Sequence, residues 1–146
     1  MIMNSVQLAV KFNASIQDLW NAWTIPSFVT KWFGSDPAGT VLQAELDVKP
    51  GGKYTITFKD SNGTEHTCMG TYSKVHKFEA LSFSWEWKSE PGHVSQVNIQ
   101  FHPNNANNTT MNFEHKDLNP QSLHGYKEGW KGTFEKLTRC LLAVDR

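Results

Sequence analysis

The sequence predicts an α+β fold: a curved antiparallel sheet of six or seven strands wrapped round a long C-terminal helix, with two short helices after the first strand. Three observations lead there. Segments of alternating apolar and polar residues follow one another through the middle of the chain, and each has one apolar face. Two brief stretches of helical spacing interrupt them once, early. The last 25 or so residues carry apolar side chains at three- and four-residue steps.

The first strand is read from Val6, Leu8, Val10 and Phe12, set against Gln7, Ala9 and Lys11. Ser15 with Asp18 three residues on forms a capping pattern, and Ile16, Leu19, Trp20 and Trp23 follow at helical spacing. Pro26 suits the first turn of a second short helix, in which Phe28, Val29, Trp32 and Phe33 line up before Gly34. Leu42, Ala44, Leu46 and Val48 then alternate with polar residues as far as the turn Pro50-Gly51-Gly52, and Tyr54, Ile56 and Phe58 repeat the pattern. Asn62-Gly63 tolerates the positive φ angles of a tight hairpin. Cys68, Gly70 and Tyr72 come next, then Leu81, Phe83, Trp85 and Trp87, then Val97, Ile99 and Phe101 beyond the Pro91-Gly92 turn. The polar interval from His102 to Thr110 is expected to be a hairpin loop, before Met111, Phe113 and His115. Asn119 and Pro120 should cap and open the terminal helix, whose apolar stripe runs through Leu123, Tyr126, Trp130, Phe134, Leu137, Leu141 and Val144. At 1.5 Å per residue such a helix is roughly 38 Å long, enough to cross the whole sheet.

No repeat or linker divides the 146 residues, so one domain is expected over 1–146. Fourteen Lys and Arg balance fourteen Asp and Glu, which leaves no basic footprint for nucleic acid. No apolar run approaches the ~20 residues of a membrane span, and the start of the chain lacks a signal-peptide pattern, so a cytoplasmic setting is expected. The N-glycosylation patterns beginning at Asn13, Asn62, Asn107 and Asn108 are set aside on that ground. Cys68 and Cys140 are expected to be free thiols.

A coiled sheet and a straight helix cannot stay in contact along their whole length, so a gap should open between them. Several segments carry a resemblance in keeping with this layout: Leu19 to Thr24 with Trp32-Phe33, Asp47 to Gly52, Gly70-Thr71-Tyr72 with Val75, Leu81 to Trp87, and Gly129-Trp130. In these the chain resembles the START-like, or SRPBCC, superfamily of helix-grip proteins, and within it the branch named for the activator of heat-shock protein 90 ATPase homologues. The resemblance runs from about Val6 to the C-terminus. It implies a cavity between sheet and helix that takes hydrophobic or amphipathic small molecules, lipids included, in many members. It does not imply one reaction.

The parity of the strands and the helix stripe place a set of side chains inward as candidate ligand contacts. They are Trp32 in the second short helix, Phe58 and Tyr72, then Phe83, Trp85 and Trp87, then Phe101, Met111, Phe113 and His115, and Trp130 on the long helix. Six Trp, nine Phe and three Tyr are more aromatic mass than closure of the sheet needs, although any one of them could simply fill the core. His115 or Tyr72 could orient a polar group of a ligand, or assist a cyclisation, dehydration or hydrolysis. No nucleophile, phosphate-loop or dinucleotide motif accompanies them, so neither a cofactor nor a catalytic set is assigned. His66 and Cys68 share a strand face but fall short of the three or four ligands of a zinc site. Glu45 and Asp47 have the polar parity of their strand and are expected in solvent, as are His76, His93, His102 and His124. Gly125, Gly129 and Gly132 form a stripe along the helix that either admits a neighbouring loop or leaves room for a ligand. The expected partner is a hydrophobic small molecule, with a chaperone or a second copy of the chain as the alternative, which would require an exposed apolar patch instead of a hollow.

Overall fold

The structure, a computed structural model, describes residues 4–142. Strand β1 (Val6–Phe12) is followed by helices α1 (Ile16–Thr24) and α2 (Pro26–Val29), then by strands β2 (Thr40–Leu46), β3 (Lys53–Lys59), β4 (Glu65–His76), β5 (Ala80–Trp87), β6 (Val94–Asn105) and β7 (Asn108–Lys116). A 3-10 turn over Pro120–Ser122 leads into α3 (Leu123–Leu142). The seven strands form one antiparallel sheet in the order β1-β7-β6-β5-β4-β3-β2. Strands β2 to β7 are thus a meander, and β1 closes its far side against β7.

The local signals act as their chemistry requires. The Ser15 hydroxyl accepts the Asp18 amide at the start of α1, and Pro26 occupies the first turn of α2. The inward residues of β3, β5, β6 and β7 alternate as expected and meet the helices on one face of the sheet. The other face is polar: a groove of about 680 Å³ crosses it, bordered by Gln7, Asn98, Gln100, Asn112 and Glu114, with Gln7 and Asn98 both donating to the Glu114 carboxylate.

Three expectations need correction. Leu42 does not face the core. A bulge between Val41 and Gln43 pairs Val41 with Phe58 and Gln43 with Thr57, which leaves Leu42 as the extra residue, 51% exposed, while Ala44 and Leu46 recover the inward parity. The loop expected over His102 to Thr110 shrinks to Ala106 and Asn107, because β6 and β7 stay paired through Pro103 and Thr109 as far as Asn105 and Asn108. There Asn104 donates to Asn108 and Thr110, so the polar residues serve a projecting hairpin. Asn119 makes no capping bond through its side chain, and Pro120 opens a 3-10 turn, so α3 proper starts at Leu123 and is about 30 Å long. Val144 lies outside the described residues.

Candidate functional site

The helices and the sheet enclose a continuous aromatic core. Trp23 on α1 stands edge-on to Trp32, at 4.8 Å between ring centroids, and lies within 6.5 Å of Phe83, Phe113, Trp130 and Phe134. Trp20 packs on Phe101. The Trp32 indole N–H donates to the Ala22 carbonyl, which ties the segment after α2 to α1. On α3, Trp130, Phe134, Leu137 and Leu141 are buried, and Trp130 lies 4.6 Å from Phe113 and 5.3 Å from Trp85.

The packing is interrupted towards the start of α3. A cavity of about 340 Å³ lies there, bounded by Phe58 of β3 and by Trp85 and Trp87 of β5. Its second wall is the segment Phe33, Gly34 and Ser35, and its third is the α3 face of Gly125, Tyr126, Gly129, Trp130 and Thr133, with Ser122 just before it. The hollow follows from side-chain size. The α3 residues are three or four apart and share one face, and glycine occupies two of those places. A methyl added at Gly125 would meet nothing within 4 Å, and one at Gly129 would meet only the Ser35 Cβ, at 3.8 Å. Gly132 has the other role: its added methyl would lie 3.0 Å from the Ser35 carbonyl oxygen, so here the helix closes on the loop. Gly34 turns that loop with a φ of +105°, which favours glycine, and lies against the Phe58 ring. Asp36 anchors its far end. Its carboxylate accepts from the Ser61 amide and hydroxyl and from the Ala38 amide, and its carbonyl accepts from Lys136 of α3. The Ser61 and Ala38 bonds hold the Asp36 carboxyl down at about 2.

The cavity contains no carboxylate, ammonium or imidazole. Its polar groups are the Tyr126 hydroxyl, the indole N–H of Trp85 and the hydroxyls of Ser35, Ser122 and Thr133. The Thr133 hydroxyl donates to the Gly129 carbonyl. The Tyr126 oxygen accepts the Trp87 indole N–H at 2.7 Å. The Trp85 N–H is buried without a hydrogen-bond partner. Burial raises the Tyr126 phenol above its ordinary value, against the pull of the Trp87 and Trp85 N–H groups.

Of the residues expected inward, Phe58, Trp85, Trp87 and Trp130 border the cavity. Trp32, Tyr72 and Phe83 instead surround a void of about 20 Å³ deeper in the core, room for a water molecule at most. Phe101, Met111 and Phe113 are packed core residues. Two aromatic walls, Phe33 and Tyr126, are missing from the expected set. Tyr126 precedes Trp130 by four residues on the same stripe, and that spacing was the available signal.

His115 lies behind the cavity wall. It accepts the Trp130 indole N–H on Nδ1 at 3.0 Å, which fixes the neutral tautomer with hydrogen on Nε2. Nε2 then donates to Ser95 Oγ at 2.7 Å, and the Ser95 hydroxyl reaches the Trp85 carbonyl at 3.4 Å. Both ring nitrogens are occupied, so His115 positions Trp130 and has no nitrogen free for a ligand. Tyr72 likewise lies away from the cavity; burial, with the nearby Cys68 thiol and Asp47, raises its phenol, which is unsuited to proton transfer. Neither residue borders the cavity.

Burial lowers the His115 imidazole to about 3. Between the ordinary value of 6.5 and that value the unfolded chain carries a proton that the folded chain does not. The contribution of His115 is therefore complete above about pH 6.5 and declines by about 1.4 kcal/mol per pH unit as the pH falls through that window. Urea denaturation between pH 7 and 4.5 should show this slope. His115→Gln should flatten it, and an unchanged slope would place its origin elsewhere.

Cys68 is buried and Cys140 half-buried, both as free thiols. His66 bonds Asp60 at 2.8 Å, and among the described residues no group of three or more His, Cys, Asp and Glu could hold a metal. No helix among them is long and apolar enough to cross a membrane.

A curved antiparallel sheet gripping a terminal helix, with a hollow between the two, defines a helix-grip protein. The family model described as "Activator of Hsp90 ATPase homolog 1-like protein" (AHSA1) matches residues 13–141, and the chain belongs to that family, a branch of the SRPBCC/START-like superfamily. Among solved structures, the AHSA1 protein SPO3351 of Silicibacter pomeroyi is 19% identical, with a TM-score of 0.83 over 94% of this chain and 97% of its own. Protein NE0264 of Nitrosomonas europaea is 21% identical, with a TM-score of 0.81 over 95% and 94%. CalU16 of Micromonospora echinospora is 19% identical, with a TM-score of 0.71 over 97% of this chain and 78% of its own. These likenesses show the fold. No protein among those with curated descriptions matches the sequence significantly.

Proposed function

We propose that the protein binds a small, neutral, predominantly apolar or aromatic molecule in the cavity between the sheet and the first half of α3. The observation that carries this is the cavity itself: about 340 Å³, walled by six aromatic rings and free of ionised groups, in a core that is otherwise closely packed. That volume is at the lower end of the ~300–1,000 Å³ usual for small-molecule sites. It suits a compound of one to three rings and is too small to enclose a two-chain lipid. Burial of about 200 Å² of ligand would contribute about 5 kcal/mol before ordering costs, and each ring contact adds to that. Micromolar affinity needs no catalytic group.

The family description names a chaperone ATPase activator. A docking module would need a continuous exposed apolar surface. Among the described residues the large exposed apolar side chains are instead Ile25, Leu42, Val94 and Leu142, one each after α1, in β2, at the start of β6 and at the end of α3. This distribution favours the ligand over the chaperone.

Titration of intrinsic Trp fluorescence tests the proposal, because Trp85, Trp87 and Trp130 all border the cavity. Neutral aromatic and polyketide-like compounds should give saturable changes with micromolar Kd, and phospholipids with two acyl chains should give none. A flat response to every ring compound would count against a ligand role.

A further inference from the structure

Besides the hydroxyls of Ser35 and Ser122, the cavity carries two polar groups set among its rings, the Trp85 indole and the Tyr126 phenol. Trp85 is 3% exposed and its indole N–H has no partner in the folded chain. A buried donor left unsatisfied is destabilising, and such a group in a native core calls for an explanation. The Tyr126 hydroxyl is the neighbour of this N–H, but the two are not hydrogen-bonded. That hydroxyl oxygen already accepts from Trp87 at 2.7 Å, while no acceptor among the described residues takes the Tyr126 proton. Trp85 and Tyr126 therefore both offer hydrogens at the cavity and neither offers a free acceptor site of comparable strength. The hydroxyl of Thr133 is turned away to the Gly129 carbonyl, and no carboxylate borders the space.

We propose that the cavity selects ligands carrying a hydrogen-bond acceptor oxygen, such as the carbonyl of an aryl ketone, quinone or lactone, which is received jointly by the Trp85 N–H and the Tyr126 O–H. This rests on the small-molecule reading above and specifies the chemistry of the occupant. A hydrocarbon of the same shape would gain the ring contacts but leave the buried Trp85 donor unpaired. A carbonyl oxygen has two lone pairs and can accept both hydrogens at once. The site would then discriminate by oxygen content as well as by shape, because a site built to bond a polar group disfavours an analogue that lacks it.

The test compares two probes of one shape, 2-acetylnaphthalene and 2-isopropenylnaphthalene, in which a carbonyl oxygen replaces a methylene group. Both are titrated into the 15N-labelled protein while the indole N–H resonances are followed. The ketone should bind about tenfold more tightly or better, and it alone should move the Trp85 indole proton downfield. Tyr126→Phe should cut the preference several-fold without abolishing binding of the hydrocarbon. Should that variant fail to fold, the Trp85 shift in the native protein still decides. Equal affinities with no downfield shift would overturn the acceptor rule while leaving the cavity as a binding site. Absence of binding by both probes would overturn the binding site and the acceptor rule together.

Discussion

Gly129→Leu should abolish ligand binding, weakening it by well over tenfold, while leaving the protein folded and slightly more stable. Gly129 borders the cavity at mid-depth on α3, and an added Cβ there has only the Ser35 Cβ near it, at 3.8 Å. The remaining atoms of the leucine would extend into the hollow and occupy space that a ligand ring needs. Replacement of an interior helical glycine should itself add up to about 1 kcal/mol through helix propensity. Gly125→Ala is the control. It adds one methyl at a place that meets nothing within 4 Å, so it should raise stability similarly and reduce affinity only slightly. Isothermal titration with 2-acetylnaphthalene and thermal unfolding measure the two effects separately. Undiminished binding by a folded Gly129→Leu protein would mean that the ligand sits elsewhere.

Trp130→Ala should destabilise the protein by about 3–5 kcal/mol, as measured by urea denaturation at pH 7. Trp130 is 5% exposed and is surrounded by rings, with Phe113 at 4.6 Å, Trp85 at 5.3 Å and Phe134 stacked on it at 5.5 Å. Its loss would empty this position and leave His115 Nδ1 without the N–H that fixes its tautomer. Trp130→Phe separates the two effects. It keeps a ring in place but loses the hydrogen bond and the smaller part of the packing, so a cost of about 1–3 kcal/mol is expected. Trp87, partly exposed at the cavity mouth, should tolerate truncation far better. A Trp130→Ala cost below about 1 kcal/mol would show that the aromatic core does not hold α3 to the sheet.

The topology could be read from the sequence because β3, β5, β6 and β7 each bury one face, and a period of two records it. The bulge at Leu42 could not, since the extra residue leaves the composition unchanged and only the pairing with Phe58 and Thr57 reveals it. The stripe of Gly125, Gly129 and Gly132 left two readings open, a neighbouring loop or room for a ligand, and the structure divides it between them, with Gly132 against Ser35 and the other two bordering the open space. Parity tells which side chains point inward, and Trp32, Phe83 and Phe113 do so as much as Phe58 and Trp85. Which of them meet a neighbour and which meet space depends on where the helix crosses the sheet and on how Gly132 draws it against Ser35. His115 shows the same limit. Its inward parity was correct, but that Trp130 and Ser95 occupy both its nitrogens depends on how β6, β7 and α3 meet in space.

The most direct measurement is a crystal structure of the protein soaked with 2-acetylnaphthalene. Ligand density should lie between Phe58, Trp85 and the Gly129 face of α3, with the carbonyl oxygen within hydrogen-bond reach of Trp85 Nε1 and Tyr126 Oη. A cavity filled by the protein's own side chains, or a ligand seated only on the polar outer face of the sheet, would contradict it.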